Sequence, residues 1–207
     1  MPKGSDALVA KRRDEIINAC ESLYEKMSFR EVTIQKIGEV TSFTRTSIYN
    51  YFQTKEEIFL ALLGREYQAL SRCIREIRDK NDSLSAEEFA SLLAHTIEKR
   101  TSLLKLVSMN HFEIEENSRL ESLVEFKKLY AQAINEVRMS VHKFFPSMTA
   151  DDIESFIYSF FPFLFGIYPY TAVTDKQKKA MDFAGFDYPQ LSVYDITYQE
   201  VVRLLRS

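Results

Sequence analysis

Between Thr41 and Phe59 the chain reads TSFTRTSIYNYFQTKEEIF, a polar start, a cluster of aromatics, then charge. On a helix over residues 45–51, Ile48 and Phe52 lie four apart and face inward. Phe43 can plug the same small core. Arg45, Thr46, Tyr49 and Asn50 are then left together on the outward face. Arg and Asn match the edges of guanine and adenine with paired hydrogen bonds, and hydroxyls reach phosphate oxygens. Lys55, at the next helix start, adds an ammonium beside free backbone N–H groups, which suits a phosphate. The chemistry these residue types offer is recognition of a nucleic acid. The competing reading is that Tyr49 and Tyr51 only pack a helical hairpin.

Bond-making chemistry finds little support. The five glycines stand at 4, 38, 64, 166 and 185, so neither a P-loop nor a GxGxxG turn can form. GxSxG and HExxH are absent. The histidines are His95, His111 and His142; His111 has Glu113, Glu115 and Glu116 nearby, but without ligand spacing, so a solvated acidic face is the better reading. Neither Cys20 nor Cys73 has an evident electropositive partner to activate it. No enzyme activity, metal or cofactor is expected.

The elements that must position these residues follow from periodicity and caps. With 207 residues, 45% hydrophobic and 28% charged, the chain is of ordinary globular composition, and five Gly and five Pro leave helices unbroken. A first helix over 7–27 has Ile16, Cys20, Leu23 and Met27 on one face. Thr33 caps a second over 34–40, and Thr44 caps a third over 45–51. Thr54 and Glu57 form a capping box that opens a long fourth helix with Phe59, Leu62, Leu63, Leu70, Ile74 and Ile77 on its apolar stripe. Ser85 and Glu88 open the next, followed by helices over 100–109, 120–145, 151–168, 175–184 and 194–206. Two short capped helices joined by Thr41-Ser42-Phe43 make a helix-turn-helix unit. The fold class is all-α: a three-helix head over 1–53 and a helical body over 54–207.

Net charge is −3, divided as +2 over residues 1–55 and −5 over the rest, with Lys3, Lys11, Arg12 and Arg13 gathered near the start. That pattern fits a local nucleic-acid face, not a wholly basic coat. Cys20 and Cys73 read as buried thiols of a reducing cytoplasm. The start of the chain has no signal-type apolar core, and the most apolar run, 156–168, is too short for a bilayer, so no membrane partner is expected.

The head resembles the TetR/AcrR family of transcriptional regulators, from about residue 12 to 63. The matching residues are Thr33-Ile34-x-x-Ile37, then Ile48-Tyr49-Asn50-Tyr51-Phe52, then Thr54-Lys55-Glu56-Glu57-Ile58-Phe59. The resemblance implies a dimer with a DNA-reading head and a ligand-binding body. It places Thr33, Tyr49 and Lys55 where the family holds phosphates, and Arg45, Thr46 and Asn50 where it often reads bases; Thr44, Ser47 and Tyr51 complete the expected DNA-facing set. Four positions depart from the pattern. Ser42 replaces the usual turn Gly, Thr46 a frequent Gly, Gly38 a frequent Ala, and Ser28 a frequent Gly. Ser42 must therefore adopt a left-handed backbone or the turn must take another shape.

In the body, Ser155, Ser159, Pro162 and Gly166 fall on one face of the 151–168 helix, between two apolar stripes. A face of small residues lets a second helix approach closely, so this helix and the last one, through Tyr198, Val201 and Leu205, are expected to form a two-fold contact with a second copy. The alternative is a central core helix of a monomer. Pro162 removes a donor and opens space; Phe112, Phe126, Tyr130, Phe160 and Phe163 are the expected lining of an effector pocket for an apolar or aromatic small molecule. The resulting expectation is a ligand-responsive, sequence-specific regulator. It acts as a homodimeric repressor on a palindromic double-stranded operator. The competing class is a dimeric ligand- or protein-binding module that has lost specific DNA reading.

Overall fold

The computed structural model describes residues 3–186 and 188–206, with the side chains of 3–5 excepted, so Lys3 of the basic cluster lies outside the described side chains. Residues 1, 2, 187 and 207 of the expected 1–53 and 54–207 domains also lie outside it. Among the described residues the regular structure is wholly helical. In chain order the helices are α1 (Lys3–Lys26), α2 (Ile34–Glu39), α3 (Arg45–Ile48), α4 (Lys55–Lys80), α5 (Ala86–Glu98), α6 (Thr101–Met109), α7 (His111–Glu116), α8 (Leu120–Phe144), α9 (Ala150–Thr171), α10 (Asp175–Phe183) and α11 (Val193–Arg206).

The chain forms two compact units that do not follow its order: 1–66 with 110–130, and 67–109 with 131–207. The first unit is thus larger than a 1–53 head. It takes in the start of α4, all of α7 and the start of α8.

In the first unit, Ile16, Cys20 and Tyr24 of α1, Ile37 of α2, Ile48, Phe52, and Ile58, Phe59, Leu62 and Leu63 of α4 are buried together with Ile114 and Phe126. Phe59 has Tyr24 edge-on at 5.2 Å and Phe29 at 4.6 Å between ring centres. Gly64 permits a close approach of α4 to α8, since a methyl there would lie 3.0 Å from a Leu129 methyl. Thr54 accepts from the Glu57 N–H at 3.1 Å, as expected. The Glu57 carboxylate does not complete the reciprocal box. It accepts from the Gln53 N–H at 2.8 Å, from Arg119 Nε at 2.5 Å and Nη2 at 3.0 Å, and its side chain is wholly buried. Burial pushes this carboxyl up, but the Arg119 bonds and the Gln53 N–H outweigh it and hold the group below the usual range.

In the second unit α11 packs on α5 and α9, and α6 packs on α9. Phe89, Leu93 and Ile97 of α5, Leu103, Leu104 and Leu106 of α6, Val137 and Val141 of α8, and Phe156, Phe160, Phe161 and Leu164 of α9 form its core. Ser85 with Glu88 and Thr149 with Asp152 form complete capping boxes. Glu136 is buried and bonded to Arg75 Nε at 3.0 Å and to Arg78 Nη1 at 2.6 Å. Here too burial raises the carboxyl and the two guanidinium partners pull it below its ordinary value.

Candidate nucleic-acid interface

The caps expected of the head are formed. Thr33 accepts from the Lys36 N–H and Thr44 from the Ser47 N–H, each at 3.2 Å. Both hydroxyls are exposed at the helix starts. Thr44 also shares a 2.8 Å hydrogen bond with the Ser47 hydroxyl. Ile48 and Phe52 are buried, and Arg45, Thr46, Tyr49 and Asn50 are exposed.

The third helix is shorter than the expected 45–51. It ends at Ile48, and the chain tightens into a turn in which the N–H groups of Tyr51 and Phe52 both donate to the Ile48 carbonyl, at 2.9 and 3.1 Å. This turn sends the two tyrosines different ways. Tyr49 stays exposed. Tyr51 is half-buried, its hydroxyl accepts from Arg12 at 3.2 Å, and its ring meets Phe43 edge-on at 5.9 Å. Tyr51 therefore packs toward α1, at the edge of the face that Tyr49 and Asn50 present.

The turn between α2 and α3 has no glycine and does not need one. Among the described residues no non-glycine backbone is left-handed, so Ser42 takes the second of the two expected routes. Its N–H and its hydroxyl both donate to Glu15 Oε1 of α1, each at 2.8 Å. The Ser42 backbone bond, then its hydroxyl bond, lowers the Glu15 pKa. Glu15 was not singled out by sequence reasoning. Its place one helix away, with no local motif, leaves no signal to find it by.

The exposed residues line two hollows. One, of about 360 Å³, is lined by Thr33, Gln35, Arg45, Tyr49 and Lys55, with Ile34. The other, of about 380 Å³, has Lys11, Arg12, Ser42, Ser47, Asn50 and Tyr51 among its lining. Lys11 and Arg12 thus join the face, and their place in the basic N-terminal cluster was the signal. Lys55 differs from expectation. Its ammonium donates to the Phe29 carbonyl at 3.0 Å and lies 4.2 Å from the Phe29 ring centre, so it is tied inward, not free.

Residues 16–62 match the family described as bacterial regulatory proteins, tetR family, and residues 61–203 match the tetracyclin repressor-like C-terminal domain. The chain belongs to the TetR family. Its helix-turn-helix is accordingly a DNA-binding one. This TetR-family chain is similar to the nucleoid occlusion factor SlmA of Aliivibrio fischeri, 27% identical over 142 residues, 65% of this chain and 72% of that protein. It is also similar to the HTH-type transcriptional repressor AcnR of Corynebacterium diphtheriae, 24% identical over 127 residues, 60% and 67% of the two chains. Among solved structures, the regulator FadR of Bacillus subtilis, in complex with stearoyl-CoA, superposes with a TM-score of 0.62 at 15% identity, covering 93% of this chain and 97% of that one. At that identity the likeness is one of fold.

The residues expected to line an effector pocket are divided between the two units. Phe112 is 81% exposed on α7, which removes it as a lining residue. Phe126 is buried and stacks on half-buried Tyr130 at 6.2 Å in the first unit. Phe160 is fully buried in the second unit, stacked on Phe156 at 5.7 Å. Phe163 lines an apolar groove of about 570 Å³ with Pro162, Gly166, Tyr170, Ile196 and Arg203. Of the expected two-fold face, Ser155, Pro162 and Gly166 are exposed and Ser159 is half-buried, while the neighbouring stripes of α9 are buried. A methyl on Gly166 would meet nothing within 4 Å. Tyr198 and Leu205 are half-buried, and Val201 is fully buried, which removes it from any outer face. The reason is the phase of α11: Thr197, Val201 and Leu204 form its buried stripe, leaving Gln199 and Arg203 outward. Among the described residues no three His, Cys, Asp or Glu side chains are grouped as metal ligands, and no single helix is long and apolar enough to cross a membrane.

Proposed function

We propose that this protein is a homodimeric, cytoplasmic repressor that binds a palindromic operator and is released by a small apolar or aromatic effector. The observation that carries the reading is the outward set Arg45, Thr46, Tyr49 and Asn50 on a capped helix whose inner side, Ile48 and Phe52, is buried. Asn50 and Arg45 act as base readers, Thr46 sets fit against the groove floor, and Thr33, Thr44 and Tyr49 hold phosphates. Ser47, Lys11 and Arg12 support the Asn50 side of the face. Lys55 acts by fixing Phe29 and the start of α4, with its backbone N–H groups toward a phosphate. The small face of α9 and the outward residues of α11 form the two-fold contact, which gives two heads for two half-sites. The stearoyl-CoA bound by FadR supports an apolar effector, and the repressor AcnR supports the sign of regulation.

The test is equilibrium binding to an enriched duplex across a salt series, for the native chain, Tyr49→Ala and Asn50→Ala. Tyr49→Ala is expected to weaken binding to matched and mismatched duplexes alike. Asn50→Ala is expected to relax preference at one base pair by about 1–3 kcal/mol. Unchanged affinity in both variants would remove α3 from the interface.

A further inference from the structure

α10 is a helix that its own unit covers little. None of its nine residues is buried, Phe183 is 92% exposed, and Phe186 just beyond it is also exposed. Yet both ends are specified in detail. Thr174 and Gln177 form a complete capping box. At the other end Gly185 turns left-handed at φ 63°, the Phe186 N–H donates to the Met181 carbonyl at 3.0 Å and the Gly185 N–H to the Asp182 carbonyl at 3.2 Å. This pair of bonds is the Schellman arrangement. A helix of this length is marginal in water without packing. Beneath it lies an open apolar hollow of about 410 Å³ against Pro169, Tyr170 and Tyr188. Tyr188 stacks on Tyr170 at 6.4 Å and Phe186 lies 5.9 Å from Tyr188, so the return of the segment is seated on its own unit; the Phe183 ring, at the end of an ordered helix, is left in water.

The face of α9 supplies one. Its outward residues Asp151, Ser155, Ser159, Pro162, Gly166 and Tyr170 are symmetric in the sequence about the point between 160 and 161: 159 pairs with 162, 155 with 166, and 151 with 170. An antiparallel contact of α9 with the α9 of a second copy, closed by a two-fold axis at that point, brings the Tyr170 end of one helix to the Asp151 end of the other. The segment that leaves Tyr170 is the one carrying α10. α10 bears Lys176, Lys178 and Lys179 against Asp175 and Asp182, a net positive charge, and the start of α9 bears exposed Asp151 and Asp152, so the charges are complementary. Tyr158, 76% exposed two turns further along α9, offers a ring for the exposed Phe183. We propose that α10 forms an arm that lies across the start of α9 in a second copy of this chain, with its lysines toward Asp151 and Phe183 over Tyr158. The proposal rests on the homodimer reading above and adds to it the segment that fastens the dimer.

Sedimentation equilibrium of the full chain, from nanomolar to micromolar concentration, tests it with two sets of variants. Phe183→Ser is expected to raise the dimer dissociation constant about tenfold or more. Lys179→Glu is expected to weaken the dimer, and adding Asp151→Lys is expected to restore it. Thermal unfolding at a concentration where the chain is monomeric is expected to be the same for native, Phe183→Ser and Lys179→Glu, because both side chains are exposed within the monomer. A native dimer whose dissociation constant the arm variants leave unchanged would overturn the arm while leaving the homodimer. A lowered midpoint in the monomeric arm variants would show that the segment packs on its own chain and would also overturn it. A native chain that stays monomeric across the range would overturn both.

Discussion

In the first unit, Tyr49 stands exposed beside Arg45 at the end of a four-residue helix; in the second, Phe156, Phe160 and Phe161 are buried along a helix of 22. The same aromatic-rich composition has been put to opposite uses. The first unit holds short helices in place with hydroxyl caps and with Glu15 on Ser42, which frees a polar face for a partner. The second relies on long helices whose apolar stripes fill a core, and it leaves outward a stripe of small residues on α9, flanked by Tyr158 and Tyr170, and the little-covered α10. Each unit does contain one buried carboxylate held by arginine, Glu57 in the first and Glu136 in the second. The difference lies in what the core leaves outside: hydrogen-bonding side chains on α3, and shape on α9.

The largest effects should come from the two buried carboxylates. Glu57→Ala and Glu136→Ala remove a buried carboxylate and its charged hydrogen bonds, but Arg119 and Arg75 stay nearly half in water, so each costs up to about 3 kcal/mol of stability; the denaturant midpoint is the measurement. If the units unfold separately, each variant shifts only one of two transitions. Both carboxyls are held below their ordinary 4.5 in the folded state, so protons bind more readily to the unfolded chain. Their contribution is fully present above 4.5 and is lost as pH falls through the lower folded values. Acid titration of the native chain should therefore show falling stability below about pH 4.5, and Glu57→Gln should flatten part of that slope.

Next in size is Arg45→Ala. It should lower discrimination or affinity for the operator by about 1–3 kcal/mol, read from binding isotherms. Because Arg45 is exposed, its melting temperature should stay unchanged. A loss of both would place Arg45 in the structure of the head instead of its interface. The smallest effect is expected at Gly38. A methyl there would lie 3.4 Å from the Arg45 nitrogen and 3.5 Å from the Phe43 carbonyl, which is ordinary contact. Gly38→Ala should stabilise the first unit by about 0.4–1 kcal/mol through the unfolded chain's lost freedom, with DNA binding retained.

How far the sequence could be read follows the same division. Caps at Thr33, Thr44, Ser85 and Thr149, and the periodicity of α8 and α11, are local signals, and they placed the starts of those helices within a residue, while the ends of α3 and α9 each fell three residues from where the periodicity put them. The inward pair Ile48 and Phe52 and the outward set on α3 followed from spacing alone. What spacing could not give were partners distant in the chain. Glu15 meets Ser42, Arg119 meets Glu57, and Arg12 meets Tyr51, each across 27 residues or more. The effector lining was beyond reach for another reason. Phe112, Phe126 and Phe160 look alike in the sequence, and only the packing of neighbouring helices separates an exposed ring from a core one. Val201 was misplaced because α11 has apolar residues on two adjacent faces, and only its contact with α5 decides which is buried.

The most direct test of the central claim is selection of bound duplexes from a random DNA library by the native chain, with Tyr49→Ala carried through in parallel. The account predicts a palindromic site enriched by the native chain and lost with the variant. No enrichment from protein shown to be folded and dimeric would contradict it, and would favour a ligand- or protein-binding module whose head no longer reads DNA.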